Sequence, residues 1–157
     1  MAVRVLFTLG TTPFVSLEKA AFEVAKRDQN YEVTLQTQNM NLEFNTNILT
    51  NFNVINYYEN FSWVIENFDI VVSHGGAGTI FKSLEAGIKL VVVPNLERAD
   101  RHQTEICNFI ERASLAYVQR DISKINHALE AVFSMEVKRY KRSKEFDWVS
   151  LRNWING

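Results

Sequence analysis

The chain contains one cysteine, Cys107, so no disulfide can form within it and nothing in the sequence calls for an oxidising compartment. Its three histidines (His74, His102, His127) are scattered without metal-ligand spacing, so neither a metal nor a cofactor is expected. No apolar run approaches the roughly 18 residues that a membrane span needs, and the apolar stretch in Met1–Phe7 is too short for a signal peptide. These absences lead us to expect a cytosolic location. The formal net charge of −1 offers no basic excess for nucleic acid, and none is expected as a partner. Internal repeats and low-complexity segments are also lacking.

What is present is the material of a core. Over 157 residues, 46% hydrophobic and 12% aromatic content suffices for one packed domain. The near-neutral charge hides an asymmetry: from Glu136 onward six Lys/Arg face three acids, which leaves an acidic remainder. Two regions are therefore expected, a domain at 1–135 and a basic, aromatic helical tail at 136–157. In the tail, Val137, Tyr140, Lys141, Lys144, Trp148, Leu151 and Ile155 can line one helical side.

Read in order, the chain alternates between two periods. Val3–Leu9 is a compact apolar run ending at Gly10-Thr11-Thr12-Pro13, as in a fully buried strand. Val15–Arg27 places Leu17, Ala20, Ala21, Val24 and Ala25 on one helical face, with Ser16 as a candidate cap. Strands are expected at Tyr31–Gln36, Phe52–Ile55, Asp69–Val72, Lys89–Val93 and Leu115–Val118. Helices are expected at Phe61–Asn67, Thr79–Ala86, His102–Arg112 and Ile122–Phe133, with a loop over 38–50. Strand–helix alternation at this spacing implies a doubly wound parallel α/β sheet, that is, a Rossmann-like fold.

The most informative stretch is Ser73-His74-Gly75-Gly76-Ala77-Gly78-Thr79, between the apolar Ile70-Val71-Val72 and a helix. A strand, a glycine-dense turn and a helix N-terminus together favour an anion, because glycines allow close approach and the first N–H groups are unpaired. The plainer reading is a tight strand-to-helix turn in which His74 bonds the backbone. Ligands of such sheets bind beyond the carboxyl ends of the strands. Gly10-Thr11-Thr12, Ser73–Thr79 and Asn95–Gln103 should all lie there. His102 and Gln103 could equally belong to a helix cap with Asp100. Cys107 reads as a small buried hydrophobe.

The segments VLFTLGTT, DIVVSHGGAGTIFKSLEAG and KLVVVPN…DRHQTEI resemble the carboxyl-terminal, donor-binding half of GT-B glycosyltransferases. Within that class they resemble the small subunits of split enzymes, which act on the N-glycan precursor or in bacterial exopolysaccharide assembly, and thus the family 28 C-terminal domain. The resemblance implies that Gly10, Thr11 and Thr12 sit by a nucleoside diphosphate. The backbone from Gly75 through Gly76, Ala77 and Gly78 to Thr79 would then cradle that diphosphate, with Ser73 beside it among the substrate-binding residues. It also implies that His102 and Gln103 hydrogen-bond the donor sugar's hydroxyls, that Asn95 is among the substrate-binding residues, and that His74 and Gln103 are the catalytic candidates, without a metal. The expected activity is inverting transfer from a UDP-sugar to a lipid-linked glycan at the cytosolic membrane face. The general base and the membrane anchor would come from an acceptor-binding partner chain, to which the tail could dock; the tail could equally pack on its own domain or touch anionic lipid. Isolated, the chain could self-associate. The alternative is a non-catalytic accessory subunit.

Three positions depart from the family's pattern. Lys82 stands where an acid usually holds the ribose, and a lysine cannot accept a hydroxyl proton. Either Glu85 takes over, or Lys82 faces a phosphate, or the ribose contact is lost. Ile106 replaces a common Asn and reads as core, and Gln38 replaces a glycine after Gln36-Thr37. Asp69 and Glu85 form no recognisable acid/base pair.

Overall fold

The structure is a computed structural model; it describes residues 1–39, 41–97, 101–137 and 140. Among these, six strands form one parallel sheet in the order β3-β2-β1-β4-β5-β6. The strands are β1 (Val3–Thr8), β2 (Tyr31–Gln36), β3 (Phe52–Ile55), β4 (Ile70–His74), β5 (Lys89–Val93) and β6 (Tyr117–Val118). Between them run α1 (Val15–Arg27), α2 (Phe61–Val64, continued by a 3-10 turn Ile65–Asn67), α3 (Ala77–Ala86) and α4 (Arg101–Arg112). After β6, a 3-10 turn Ile122–Lys124 leads into α5 (Ile125–Ser134). The doubly wound α/β expectation holds.

Period-two alternation along the central strands builds two cores. Val5, Phe7, Val72, Val91 and Val93 face Leu17, Ala21 and Val24 of α1 and Leu129 and Val132 of α5. The intervening Leu6, Val71, Leu90 and Val92 face Ile80 and Leu84 of α3 and Ile106, Cys107 and Ile110 of α4. Burying each such side chain stabilises the fold by about 1.5–3 kcal/mol before entropy is set against it. Ile106 and Cys107 are thus core, as their apolar character implied. The loop over 41–50 is pinned by Phe44, whose ring stacks on Phe22 at 4.5 Å and meets Phe52 edge-on at 6.0 Å. One 3-10 turn, Thr46–Ile48, interrupts it.

Two expectations change. Ser16 does not cap α1: Phe14 occupies the N-cap without a side-chain bond, and Ser16 lies inside the helix. The carboxylate of Glu97, 81 residues further along, accepts from the Ser16 backbone N–H at 3.2 Å and from its hydroxyl. A charged group from another loop thereby fills the electropositive end of α1. α3 begins at Ala77 rather than Thr79, with extended Gly76 as N-cap, and ends at Gly87, whose φ of +71° suits glycine. The tail lies almost wholly outside the described residues. Tyr140 is described, and its ring lies 5.6 Å from that of Phe81 on α3.

Strand order reverses between β1 and β4: β1, β2 and β3 run outward on one side, and β4, β5 and β6 on the other. A crevice at that switch point is the usual ligand position in an open α/β sheet. Gly10 follows β1 and the glycine turn follows β4, so both stand at its rim.

Candidate functional site

The glycine turn is shaped by a histidine. His74, the last residue of β4, turns its Nδ1 toward the Thr8 carbonyl of β1 at 3.4 Å. A carbonyl only accepts, so Nδ1 carries the proton and Nε2 keeps its lone pair. Burial pulls the imidazole pKa below the ordinary histidine value, against an opposing effect of the Thr8 bond, so the ring is neutral at pH 7. The ring lies between two glycines. A Cβ on Gly76 would sit 2.5 Å from Nε2, and one on Gly10, whose φ is +63°, would sit 2.9 Å from Cε1. The ring thus braces the β1 and β4 loops, bonding the backbone of β1 rather than that of its own turn.

A second brace joins the turn to α4. A Cβ on Gly75 would meet the Cβ of Gln103 at 2.7 Å, and Gln103 Oε1 accepts from the Asn95 backbone N–H at 2.9 Å. Asn95 is 2% exposed; its amide donates to the Pro13 carbonyl at 3.3 Å and its Oδ1 accepts from Glu97 N–H at 3.1 Å. Ser73 has no exposed surface, and its hydroxyl donates to the His74 carbonyl at 2.8 Å. Ser73 and Asn95, expected among the substrate-binding residues, bond the loops through their side chains. Residues 98–100, including Asp100, and the side chain of His102 lie outside the described part, and with them the proposed cap.

The open part of the site is a cleft of about 270 Å³. Thr8 and Gln36 form its floor, and Gly10, Thr11, Gly78, Thr79 and Lys82 line it from the β1 loop and α3. Gln38, Tyr57, Tyr58, Glu59 and Phe61 line it from the β2 and β3 sides. Gly78 has nothing within 4 Å of a would-be Cβ, so there the missing side chain leaves room for a ligand. Among the described residues no side chain caps α3, and its first turn carries no acid, so an electropositive helix end opens on the cleft at Gly78 and Thr79. Of the sequence-predicted residues, Gly10, Thr11, Gly78 and Thr79 line this cavity. Thr12, Ser73, His74, Gly75, Gly76, Ala77, Asn95 and Gln103 do not line it and form or support its rim. Glu85 is exposed and also absent from the lining, so it does not stand in for an acid at position 82. Lys82 does line the cleft, with Nζ 5.9 Å from the centre of the Phe61 ring.

The wall Tyr57–Phe61 was not foreseen from the sequence. It follows β3 at the carboxyl edge, so the rule that selected the other loops covers it too. It is held by a polar relay: Thr8 Oγ1 donates to Gln36 Oε1 at 2.8 Å, and Gln36 Nε2 to the Asn56 carbonyl at 2.9 Å. Gln38 follows Thr37, whose hydroxyl donates at 2.7 Å to the buried carboxylate of Glu18.

Residues 4–153 match the glycosyltransferase family 28 C-terminal domain. The chain belongs to that family. Its relatives include the UDP-N-acetylglucosamine transferase subunit ALG13 of Kluyveromyces lactis, 37% identical over 43% of this chain and 34% of the relative. The UDP-N-acetylglucosamine–N-acetylmuramyl-(pentapeptide) pyrophosphoryl-undecaprenol N-acetylglucosamine transferase of Thermosipho melanesiensis is 25% identical over 80% of this chain and 38% of the relative. The chain therefore spans about a third of the length of these curated relatives. Among solved structures, the glycotransferase of kitacinnamycin superposes with a TM-score of 0.70 at 21% identity, over 85% of this chain and 35% of that one. The solution structure of ALG13 superposes at 0.65 and 17% identity, over 96% of this chain and 94% of that one. At these identities the structures establish the fold, which is that of GT-B glycosyltransferase C-terminal domains.

Proposed function

We propose that this chain is the donor-binding subunit of a heteromeric glycosyltransferase, moving a sugar from a nucleoside diphosphate, most simply UDP, to a lipid-linked glycan. The observation that carries the reading is the uncapped N-terminus of α3 opening on the switch-point cleft through Gly78, in a chain of family 28. The diphosphate would lie against the N–H groups of Ala77, Gly78 and Thr79 and the Gly10–Thr11 turn. Fixed dipoles would there stabilise the charge that develops on the leaving group, with inversion and without a metal. The names of the curated relatives point to UDP-N-acetylglucosamine as the donor. One Rossmann-like domain supplies one wall of an interdomain cleft, so a partner chain would supply the acceptor site, the general base and the attachment to the cytosolic membrane face. The basic segment from 136 onward would be a separate docking tail.

Calorimetric titration of the purified chain with UDP, GDP and UDP-N-acetylglucosamine, without added metal, tests this. Binding that is lost in Gly78→Asp while the melting temperature holds would support a donor site at α3. Absence of binding, alone and with a co-expressed partner, would refute it. Lys82 favours a second reading, an accessory subunit whose donor site has decayed, because a lysine stands where the resemblance calls for an acid. Tighter UDP binding by Lys82→Glu would mark that case.

A further inference from the structure

We propose that Lys82 contacts the diphosphate of the donor, so that this end of the ligand is recognised by charge rather than through its ribose hydroxyls. The inference rests on the donor-site reading above. Gly78, Thr79 and Lys82 line the same cleft from one helix, the first and last of them four residues apart and therefore on one face. Lys82 lies about 4.5 Å along the axis from Thr79 at 1.5 Å per residue. Helical side chains lean toward the N-terminus, so a long side chain at 82 covers the turn that ends at Thr79. A lysine extended in that direction would reach the first turn of α3; in the structure its Nζ lies on the Phe61 side of the cleft, 5.9 Å from the ring centre.

The surroundings agree with an anion between them. Among the described residues Lys82 has no ion-pair partner, and its ammonium group lies over the face of Phe61. The N-terminal end of α3 has the same sign as the ammonium group, so helix and lysine share an attraction only for a third, negative group. Glu59, the one carboxylate of the lining, comes from the β3–α2 loop. An ammonium group donates three hydrogen bonds and accepts none, which fits phosphate oxygens and leaves ribose protons without an acceptor at position 82.

The test is calorimetry of the full chain with UDP and UMP at low and moderate salt, for wild type, Lys82→Gln and Lys82→Glu. Lys26→Gln, on α1, removes the same charge away from the cleft. Lys82→Gln should weaken UDP about 10-fold, as expected for a lost charge-assisted bond, and Lys82→Glu more. UMP should be affected much less, the salt dependence of UDP binding should flatten, and Lys26→Gln should match wild type. Melting temperatures verify that the exposed substitutions leave the fold intact. The proposal falls if Lys82→Glu binds UDP as tightly as wild type or tighter, or if UDP and UMP weaken equally. Wild-type binding that is unchanged in both variants overturns this inference and spares the donor site; no wild-type binding overturns both.

Discussion

Two glycines two residues apart should respond to alanine in opposite directions. In Gly76→Ala the new methyl would begin 2.5 Å from His74 Nε2 and 2.7 Å from Cε1, where ordinary contact needs 3.4 Å or more. Backbone conformation is not the obstacle, since Gly76 has φ −78° and ψ 114°. The ring has to retreat by roughly 1 Å, yet Gly10 closes one side and the Thr8 carbonyl holds Nδ1. Forcing the ring off its rotamer costs about 0.5–1.5 kcal/mol. Losing its hydrogen bond to a buried carbonyl costs about 1–3 kcal/mol more. The sum is about 2–4 kcal/mol, or roughly 5–15 °C in melting temperature for a domain of this size. Gly78→Ala meets nothing and sits within a helix, so it should gain about 0.5–1 kcal/mol from reduced chain entropy. Thermal and urea melts of both variants, together with His74→Ala and the Gly76→Ala/His74→Ala double variant, complete the test. The double variant should recover most of the Gly76→Ala loss relative to His74→Ala alone. Equal signs for the two glycines, or no coupling to His74, would refute the bracing role of the ring.

Other predictions follow from the same contacts. Because burial depresses the His74 pKa in the fold, the unfolded chain binds that proton more readily. The contribution is fully present above the unfolded value near 6.5 and is lost as pH falls toward the folded one, with a slope of at most about 1.4 kcal/mol per pH unit. Melting curves from pH 7.5 to 5 should show this slope, and His74→Gln should flatten it. The Cys107 thiol, pushed up to about 11 by burial, should react with iodoacetamide at pH 8 at least about 100-fold more slowly in the fold than in urea. Lys89 bonds the carbonyls of Val132, Phe133 and Met135 at the end of α5, so Lys89→Met should cost about 1 kcal/mol with no effect on nucleotide binding.

Elements whose signal is local were legible in the sequence. The α1, β2, β3 and β5 boundaries coincide with those read from periodicity, helped by Pro13 before α1 and by Gly87 and Pro94 around β5. Where a distant residue decides, the reading fell short. Ser16 is a capping residue type near the start of the apolar periodicity, but it lies inside the helix and Glu97 reaches the helix end across the fold. Leu115–Val118 reads as four strand residues, yet only Tyr117 and Val118 find a partner strand in β5. The site was half legible for the same reason. Glycine spacing marked the turn, but it could not distinguish the glycines pressed by His74 and Gln103 from Gly78, which faces the cleft. Tyr57–Phe61 carries no motif, and only the sheet order brings it opposite α3.

A helix begins at this carboxyl edge after each of β1, β3, β4 and β5, and the N-termini of α1 and α3 differ in how they are filled. α1, beside Gly10–Thr12, receives the carboxylate of Glu97, so its electropositive end is already neutralised from within the chain. Among the described residues no side chain caps α3, although Glu59 stands on the cleft wall and Ser73 lies next to the turn. Folding alone would favour capping both ends, since each cap adds about 1 kcal/mol. A protein that closes one end and leaves the other open forgoes that stabilisation at one place. That place is the switch point, where Gly78 leaves room and Lys82 adds a positive charge. The contrast makes Glu97→Gln a useful companion variant: it should loosen α1 and lower the melting temperature by a few degrees. UDP affinity should stay within about twofold, because the anion belongs to α3. A large loss of UDP binding in Glu97→Gln would put the diphosphate at α1 and overturn a donor site at α3.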